Sequence, residues 1–189
     1  MITLHHLEYS QSFRILWLLE ELGAPYELKI YDRDPETRLA PAEYKALSPL
    51  GTAPVITDDT GLVLAESNAV IDYILDSHPE SPLRPAPGDA ARVDYLFWFH
   101  AGVGSLMPMQ FFNGLLTMMK ARSPALVRSV IGIATDKVRE MLVAPRLKVL
   151  FDKLESDLGR NTWLAGDHLT AADRGIREGL LLGMMAGGR

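Results

Sequence analysis

A cluster of prolines divides the chain into two parts with different patterns. Four of the twelve prolines fall within residues 79–87. Proline fixes φ and removes a backbone donor, so a run of this kind forms a stiff linker. All segments with strand character precede the cluster, and long helical patterns follow it. We therefore expect one domain over residues 1–78, a linker over 79–89 and an all-helical domain over 90–189.

The first part alternates strand and helix patterns. Ile2–Leu7 and Tyr26–Tyr31 have strand character, and an amphipathic helical pattern between them ends at a glycine, which gives a βαβ unit. The apolar runs 54–57 and 62–65 are separated by a polar turn and predict a β-hairpin. A further helical pattern begins at Ser67. The expected fold is an α/β module with a four-stranded mixed sheet and the order βαβ-ββα.

The second part reads as a helical bundle. A helical pattern covers residues 90–120 and is expected to bend at Pro108, because proline removes a helical hydrogen bond. Two more helices are expected over 125–143 and 144–158. The segment TWLAGDHLTAAD contains a threonine and an aspartate at capping-box spacing, which predicts the start of another helix.

The end of the chain departs from this pattern because it is rich in glycine. Gly175 and Gly179 follow the announced helix start, and each glycine costs about 1 kcal/mol inside a helix. We therefore expect a weakened last helix and a helical domain that is incomplete after about residue 173, as in a truncated or frame-shifted end.

Composition excludes several kinds of chemistry. The chain has no cysteine, which excludes disulfides, thiolate metal sites and cysteine nucleophiles. A net charge of −5 gives no electrostatic reason to expect nucleic acid or an anionic membrane as a partner. No signal peptide or membrane-spanning run is visible, so the cytoplasm is the expected location. His5 and His6 point to opposite faces of a strand, and no metal site is expected.

Two polar segments lie where a helix follows a strand. Tyr9, Ser10 and Ser12 stand before the first helix, and Glu66 and Ser67 stand before the third. Helix N-termini attract anions, so the first segment could hold a thiolate brought by a ligand. The second offers a hydroxyl for a carboxylate and a carboxylate for an ammonium, the two charges of an α-amino acid. Taken alone, each segment is better explained as a plain helix cap.

In order and spacing, these motifs resemble those of the glutathione S-transferase family. The resemblance runs over about residues 2–173 and is carried by HLEYSQSFRILWLLEELGAPYE, SPLGTAPVI, LAESNAVIDYI, the proline linker and TWLAGDHLTAAD. It implies a thioredoxin-like N-terminal domain that binds glutathione and an all-α C-terminal domain. It also implies a homodimer and a requirement for glutathione as co-substrate, with no metal.

The resemblance also implies roles for individual residues. Ser10 matches the serine that activates the glutathione thiol, and Tyr9 is its rival for that role. Pro54 matches the family's cis-proline, although the residues alone favour a trans bond because only about 5–6% of X–Pro bonds are cis. The remaining expected contacts with glutathione come from Ser12, Thr52, Ala53, Glu66 and Ser67.

The implied reaction is attack of a glutathione thiolate on a small, apolar electrophile. Met107 and Phe111, from a methionine- and phenylalanine-rich helical stretch, are expected to face that electrophile, although such residues usually form bundle core. Two other functions remain open from the sequence. One is a non-catalytic protein of the same fold that acts by binding, and the other is a glutathione-dependent peroxidase.

Overall fold

The structure is a computed structural model. It describes the backbone of residues 1–187 and the side chains of residues 1–177 and 179–181. The chain forms two compact units, Met1–Ser81 and a second that starts at Pro82. The division falls inside the proline-rich segment.

The first unit is an α/β module built on one sheet. Its elements are β1 (Ile2–Leu7), α1 (Ser12–Leu22), β2 (Tyr26–Tyr31), α2 (Ala42–Lys45), β3 (Val55–Asp58), β4 (Val63–Ala65) and α3 (Ser67–Asp76). The strand order is β2-β1-β3-β4. Strand β1 is parallel to β2 and antiparallel to β3, and β3 is antiparallel to β4. The predicted thioredoxin-like βαβ-ββα arrangement with a four-stranded mixed sheet is confirmed.

Apolar side chains are buried on both faces of this sheet. Helices α1 and α3 contact each other, and their inward residues are at most 2% exposed, for example Ile15, Leu18 and Ile74. A separate cluster contains Leu7, Tyr31, Tyr44 and Val55 and packs around the short helix α2. Burying one large apolar side chain stabilises the fold by roughly 1.5–3 kcal/mol. The α1/α3 layer and the cluster around Tyr44 therefore stabilise the sheet from both faces.

The second unit is all-helical, as predicted. Its elements are α4 (Arg92–Ala101), α5 (Met107–Arg122), α6 (Arg128–Val138), α7 (Ala144–Leu158) and α8 (Ala171–Gly187), with π-helical turns at Gly102–Leu106 and Arg139–Val143.

The helical pattern around Pro108 differs from the expectation. Pro108 is the second residue of α5, and helical backbone runs into it from a π-helical turn in which the Met107 N–H donates to the Gly102 carbonyl oxygen. The continuous helix expected over 90–120 is instead divided by the π-helical turn Gly102–Leu106, which the sequence pattern did not reveal.

The predicted helix start near residue 170 is confirmed. Asp173 Oδ2 accepts hydrogen bonds from the Thr170 N–H at 2.9 Å and from the Thr170 hydroxyl at 2.8 Å. Asp173 Oδ1 accepts one from the Leu164 N–H at 2.8 Å, which ties the preceding loop to the helix.

Helix α8 continues through the two glycines that were expected to weaken it. It packs against α4, α5 and the turn between them. A Cβ at Gly102 would stand 3.4 Å from the backbone carbon of Gly175, and a Cβ at Gly179 would stand 2.9 Å from Leu106 Cδ2. The backbone of α8 comes close to Gly102 and Leu106 at these points. Glycine has no side chain there, so it permits this close packing of α8. The sequence analysis counted only their helix propensity.

Candidate active site

Three chain segments meet at one edge of the sheet in the first unit. Strand β1 ends at Leu7, where the serine-containing turn begins. Val55, the first residue of β3, pairs with His5 on one side and with Ala65, the last residue of β4, on the other. The turn after β1, the loop before β3 and the start of α3 therefore lie side by side. The sheet register thus brings together the sites predicted around Ser10, Pro54 and Ser67.

Ser10 lies in the turn between β1 and α1 and is half-buried. Its hydroxyl donates to the Leu7 carbonyl oxygen at 2.7 Å. Its Oγ accepts the Ser12 N–H at 3.2 Å and lies 2.7 Å from Ser12 Oγ. Gln11 directly precedes α1 and its side chain makes no capping bond. The Ser10 hydroxyl instead accepts an N–H of the first turn, as one of the two cap candidates in the sequence was expected to do, whereas Ser12 lies inside the helix.

Ser12, by contrast, has no exposed surface. Its Oγ accepts the Leu7 N–H at 3.2 Å and lies 2.9 Å from Nδ1 of His6. A side chain without exposed surface does not meet a ligand directly, so this geometry favours a role in orienting Ser10 over the direct contact expected for Ser12. His6 itself is half-buried, and burial lowers the pKa of its imidazole.

The two adjacent histidines point to opposite faces of the sheet, as predicted. His5 is bonded at Nδ1 to the Tyr31 hydroxyl and at Nε2 to Thr57 Oγ1, both at 2.9 Å. The Tyr44 hydroxyl donates to the His5 carbonyl oxygen at 3.3 Å. Burial raises the pKa of Tyr44 to about 12. Within residues 1–177 and 179–181, no group of three acidic or histidine side chains is arranged to hold a metal ion.

Tyr9 is displaced from the serine pair. Its φ is +50°, and its side chain is 73% exposed. The guanidinium of Arg38 lies 5.3 Å from the centre of the Tyr9 ring. Arg33 donates to the carbonyl oxygens of Glu8 at 2.8 Å and of Tyr9 at 3.4 Å, which fixes the backbone of the turn. The tyrosine ring is therefore held toward the loop after β2.

The loop before β3 holds the predicted proline. The Ala53–Pro54 peptide bond is cis, as the family resemblance implied and against the base rate for the residues alone. Pro54 is buried, Ala53 packs partly against the cluster around Tyr44, and Thr52 is exposed.

The residue before α3 has a strained backbone conformation. Glu66 is exposed and has φ +78° and ψ +123°, a conformation that costs a residue with a side chain about 1–3 kcal/mol. Ser67 is the first residue of α3 and is 7% exposed. Arg14, buried in α1, donates from Nη2 to Asn68 Oδ1 at 3.3 Å and so links the two helix starts. The sequence analysis did not foresee this link, because the partners are 54 residues apart.

The residues expected to face an electrophile lie in α5 of the second unit. Met107 is half-buried and Phe111 is 70% exposed. A cleft of about 340 Å³ within this unit is lined by Gly104, Ser105, Met109, Arg146 and Leu150. Met109 contributes to this cleft, whereas the two predicted residues are not among its lining residues. No helix within the described part of the chain is both long and apolar enough to span a membrane.

Comparison with known proteins shows which family the chain resembles. The family model for the glutathione S-transferase N-terminal domain matches residues 10–77. Glutathione S-transferase 3 of Schizosaccharomyces pombe is 34% identical over 174 residues, which are 92% of this chain and 70% of the relative. The chain belongs to the glutathione S-transferase family. Glutathione S-transferase 1 of Saccharomyces cerevisiae is 32% identical over 92% of this transferase and 76% of its own length.

Solved structures show the same fold. A glutathione S-transferase from Actinobacillus pleuropneumoniae is 36% identical and has a TM-score of 0.74 over all of this transferase and 80% of that chain. A glutathione transferase homologue from Sulfitobacter, solved with bound glutathione, is 20% identical and has a TM-score of 0.70 over 99% of this chain and 84% of its own. The second likeness concerns the fold alone. The predicted family, its enzyme class and the division into a thioredoxin-like and a helical domain are therefore confirmed.

Proposed function

We propose that this transferase binds glutathione at the edge of the sheet where β1, β3 and β4 meet, and that Ser10 holds its thiol as a thiolate. The observation that carries the proposal is the placement of the half-buried Ser10 hydroxyl at the N-terminus of α1. A hydroxyl can donate to a thiolate sulfur, and the positive end of the helix dipole favours the same negative charge. Tyr9 is the weaker candidate, because its ring is held beside Arg38.

The free energy required is modest. A thiol has an ordinary pKa of about 8.5, and lowering it by about two units requires a preference of roughly 2.7 kcal/mol for the thiolate. A charge-assisted hydrogen bond contributes about 1.5–3 kcal/mol, and a helix N-terminus adds about 0.3–1 kcal/mol. Together the Ser10 hydroxyl and α1 are sufficient without a metal or a protein thiol.

The other end of glutathione would be held at the start of α3. We propose that the Ser67 hydroxyl and N–H groups in the first turn of this helix bind the carboxylate of the γ-glutamyl group. The exposed Glu66 carboxylate would accept from its ammonium group. Strain at Glu66 supports this role, because strained residues concentrate at ligand sites.

The cysteinyl part would lie between these ends. The Ala53 backbone, presented beside Pro54, would pair with it, and the exposed Thr52 would add a polar contact. Met107 and Phe111 are proposed to contact a small apolar electrophile. A homodimer in the cytoplasm completes the proposal, on the family resemblance.

Calorimetry with glutathione tests the binding site, and ultraviolet thiolate absorbance tests the role of Ser10. We expect Ser10→Ala to raise the pKa of the bound thiol and Tyr9→Phe to leave it unchanged. The reverse pattern would reassign activation to Tyr9. Turnover of a chloronitrobenzene supports transferase chemistry. Turnover of a hydroperoxide alone would favour a peroxidase, and binding without turnover would favour a binding protein.

A further inference from the structure

The hydroxyl of Ser10 is the end of a chain of hydrogen bonds that begins at His6. His6 Nδ1 lies 2.9 Å from Ser12 Oγ, which lies 2.7 Å from Ser10 Oγ. The middle member, Ser12, has no exposed surface, so water does not take the place of either partner. The direction of these hydrogen bonds decides whether Ser10 Oγ donates a hydrogen bond to a ligand or accepts one from it.

A hydroxyl can donate one hydrogen bond and accept two. Ser12 Oγ already accepts the Leu7 N–H. If His6 Nδ1 carries a proton, it fills the second acceptor position of Ser12. The Ser12 proton must then point onward, to Ser10 Oγ at 2.7 Å in preference to the Leu7 carbonyl oxygen at 3.3 Å.

Ser10 is saturated in the same way. With His6 protonated at Nδ1, Ser10 Oγ accepts both the N–H and the hydroxyl hydrogen of Ser12, which leaves only its own hydrogen, donated to the Leu7 carbonyl oxygen. A ligand sulfur that takes the place of this carbonyl meets Ser10 as a donor. A thiolate can accept this hydrogen bond while the proton stays on Ser10, whereas a thiol would also need an acceptor for its own hydrogen.

We propose that His6, protonated at Nδ1, is a positioning residue that fixes Ser10 as a hydrogen-bond donor and thereby selects the thiolate form of glutathione; this rests on the proposed function of Ser10. In the other neutral form of the ring, Ser12 donates to His6 and no longer to Ser10. Ser10 Oγ then has an acceptor position open to a thiol hydrogen, so its role as a donor to the sulfur is no longer fixed. The imidazolium also carries a proton at Nδ1, so protonation of His6 preserves the direction.

The test compares substitutions of similar size at His6. Asparagine can place an N–H where Nδ1 stands, whereas leucine offers no donor. We expect His6→Leu and Ser12→Ala to raise the pKa of the bound thiol by about half a unit, which is about a threefold lower thiolate fraction below that pKa. The acidic limb of kcat/KM should shift by the same amount, and His6→Asn should restore most of it.

Two controls separate this role from simple damage to the strand. S-methylglutathione has no ionisable thiol, so its affinity should be equal in His6→Leu, His6→Asn and the unmodified protein. His5→Leu disturbs the same strand on the opposite face and should leave the thiol pKa unchanged. Thermal unfolding identifies any variant that does not fold.

The outcomes distinguish the proposed role of His6 from the proposed role of Ser10. If Ser10→Ala raises the thiol pKa but His6→Leu does not, the role of His6 is refuted and Ser10 remains the activating residue. If His6→Asn behaves like His6→Leu while folding and binding S-methylglutathione normally, donation from position 6 is refuted. If Ser10→Ala has no effect on the thiol pKa, both proposals fail.

Discussion

Replacing Gly179 with alanine tests whether α8 packs as tightly as the structure shows. Two effects of this substitution oppose each other. Alanine stabilises a helix by about 1 kcal/mol relative to glycine. The new Cβ, however, would stand 2.9 Å from Cδ2 and 3.2 Å from Cγ of Leu106, which is shorter than an ordinary contact. Leu106 is only 3% exposed and has little room to move aside.

The balance predicts a net loss of stability. Overpacking of a well-filled core costs typically about 1–3 kcal/mol, and subtracting the helix term leaves a destabilisation of about 1 kcal/mol. Gly104→Ala is the matched control, since it lies in the π-helical turn beside Leu106. Apart from its chain neighbours and the backbone of its own helical turn, no atom of the described residues lies within 4 Å of the position of its Cβ. This variant should be neutral or slightly stabilised.

Urea titration and thermal unfolding followed by circular dichroism measure the difference. The two alanine variants should differ by roughly 2 kcal/mol, which is about 4–8 °C in Tm for a chain of this length. In a double-mutant cycle, Leu106→Ala should relieve the clash, so that the double variant is more stable than the sum of the single effects predicts. A Gly179→Ala protein at least as stable as Gly104→Ala would refute the close packing of α8.

Two further predictions concern the first unit. Glu66→Gly should stabilise the fold by about 1 kcal/mol, because glycine tolerates φ +78°. The same substitution should weaken glutathione binding about tenfold, because it removes a charge-assisted hydrogen bond. Tyr44 gives a pH dependence. Because burial raises its pKa from 10.0 to about 12, the folded protein keeps a proton that the unfolded chain loses. Its contribution of about 2–3 kcal/mol is present below pH 10 and is lost as the pH rises toward 12, and Tyr44→Phe should remove this dependence.

Each of these predictions has a control. Glu66→Gln keeps the backbone strain but removes the charge, so it should weaken binding without stabilising the fold. Equal unfolding free energies for the glycine and glutamine variants would contradict the strain argument. For Tyr44, urea titrations at several alkaline pH values compare the wild type with Tyr44→Phe, and an alkaline loss of the same size in both would assign the dependence to other groups.

Several elements could be predicted because their patterns are local. The bounds of β1 and β2 and the starts of α3 and α7 match the structure, since alternation, helical periodicity and a proline in the first turn of α7 act over a few residues. The division of the long helix by a π-helical turn was missed, because Gly102–Leu106 has no distinctive periodicity and Pro108 offered a simpler explanation.

The candidate site shows the same division. Ser10, Pro54, Glu66 and Ser67 could be named from motifs in order along the chain, and the sheet register then brings their segments to one edge. The burial of Ser12 could not be read from the motif. Its side-chain direction depends on how α1 docks on β1, which is a matter of packing.

The sequence by itself determined the types of the segments, their order, the absence of a protein thiol and the candidate residues for binding the sulfur of glutathione. The tertiary structure decided which of these groups touch and which atom donates to which. The bonds of Arg14 to Asn68 and of His6 to Ser12, and the approach of Gly179 to Leu106, join different elements. Hydrogen bonds and close packing depend on distances of a few tenths of an ångström, and only the packed elements set distances on that scale.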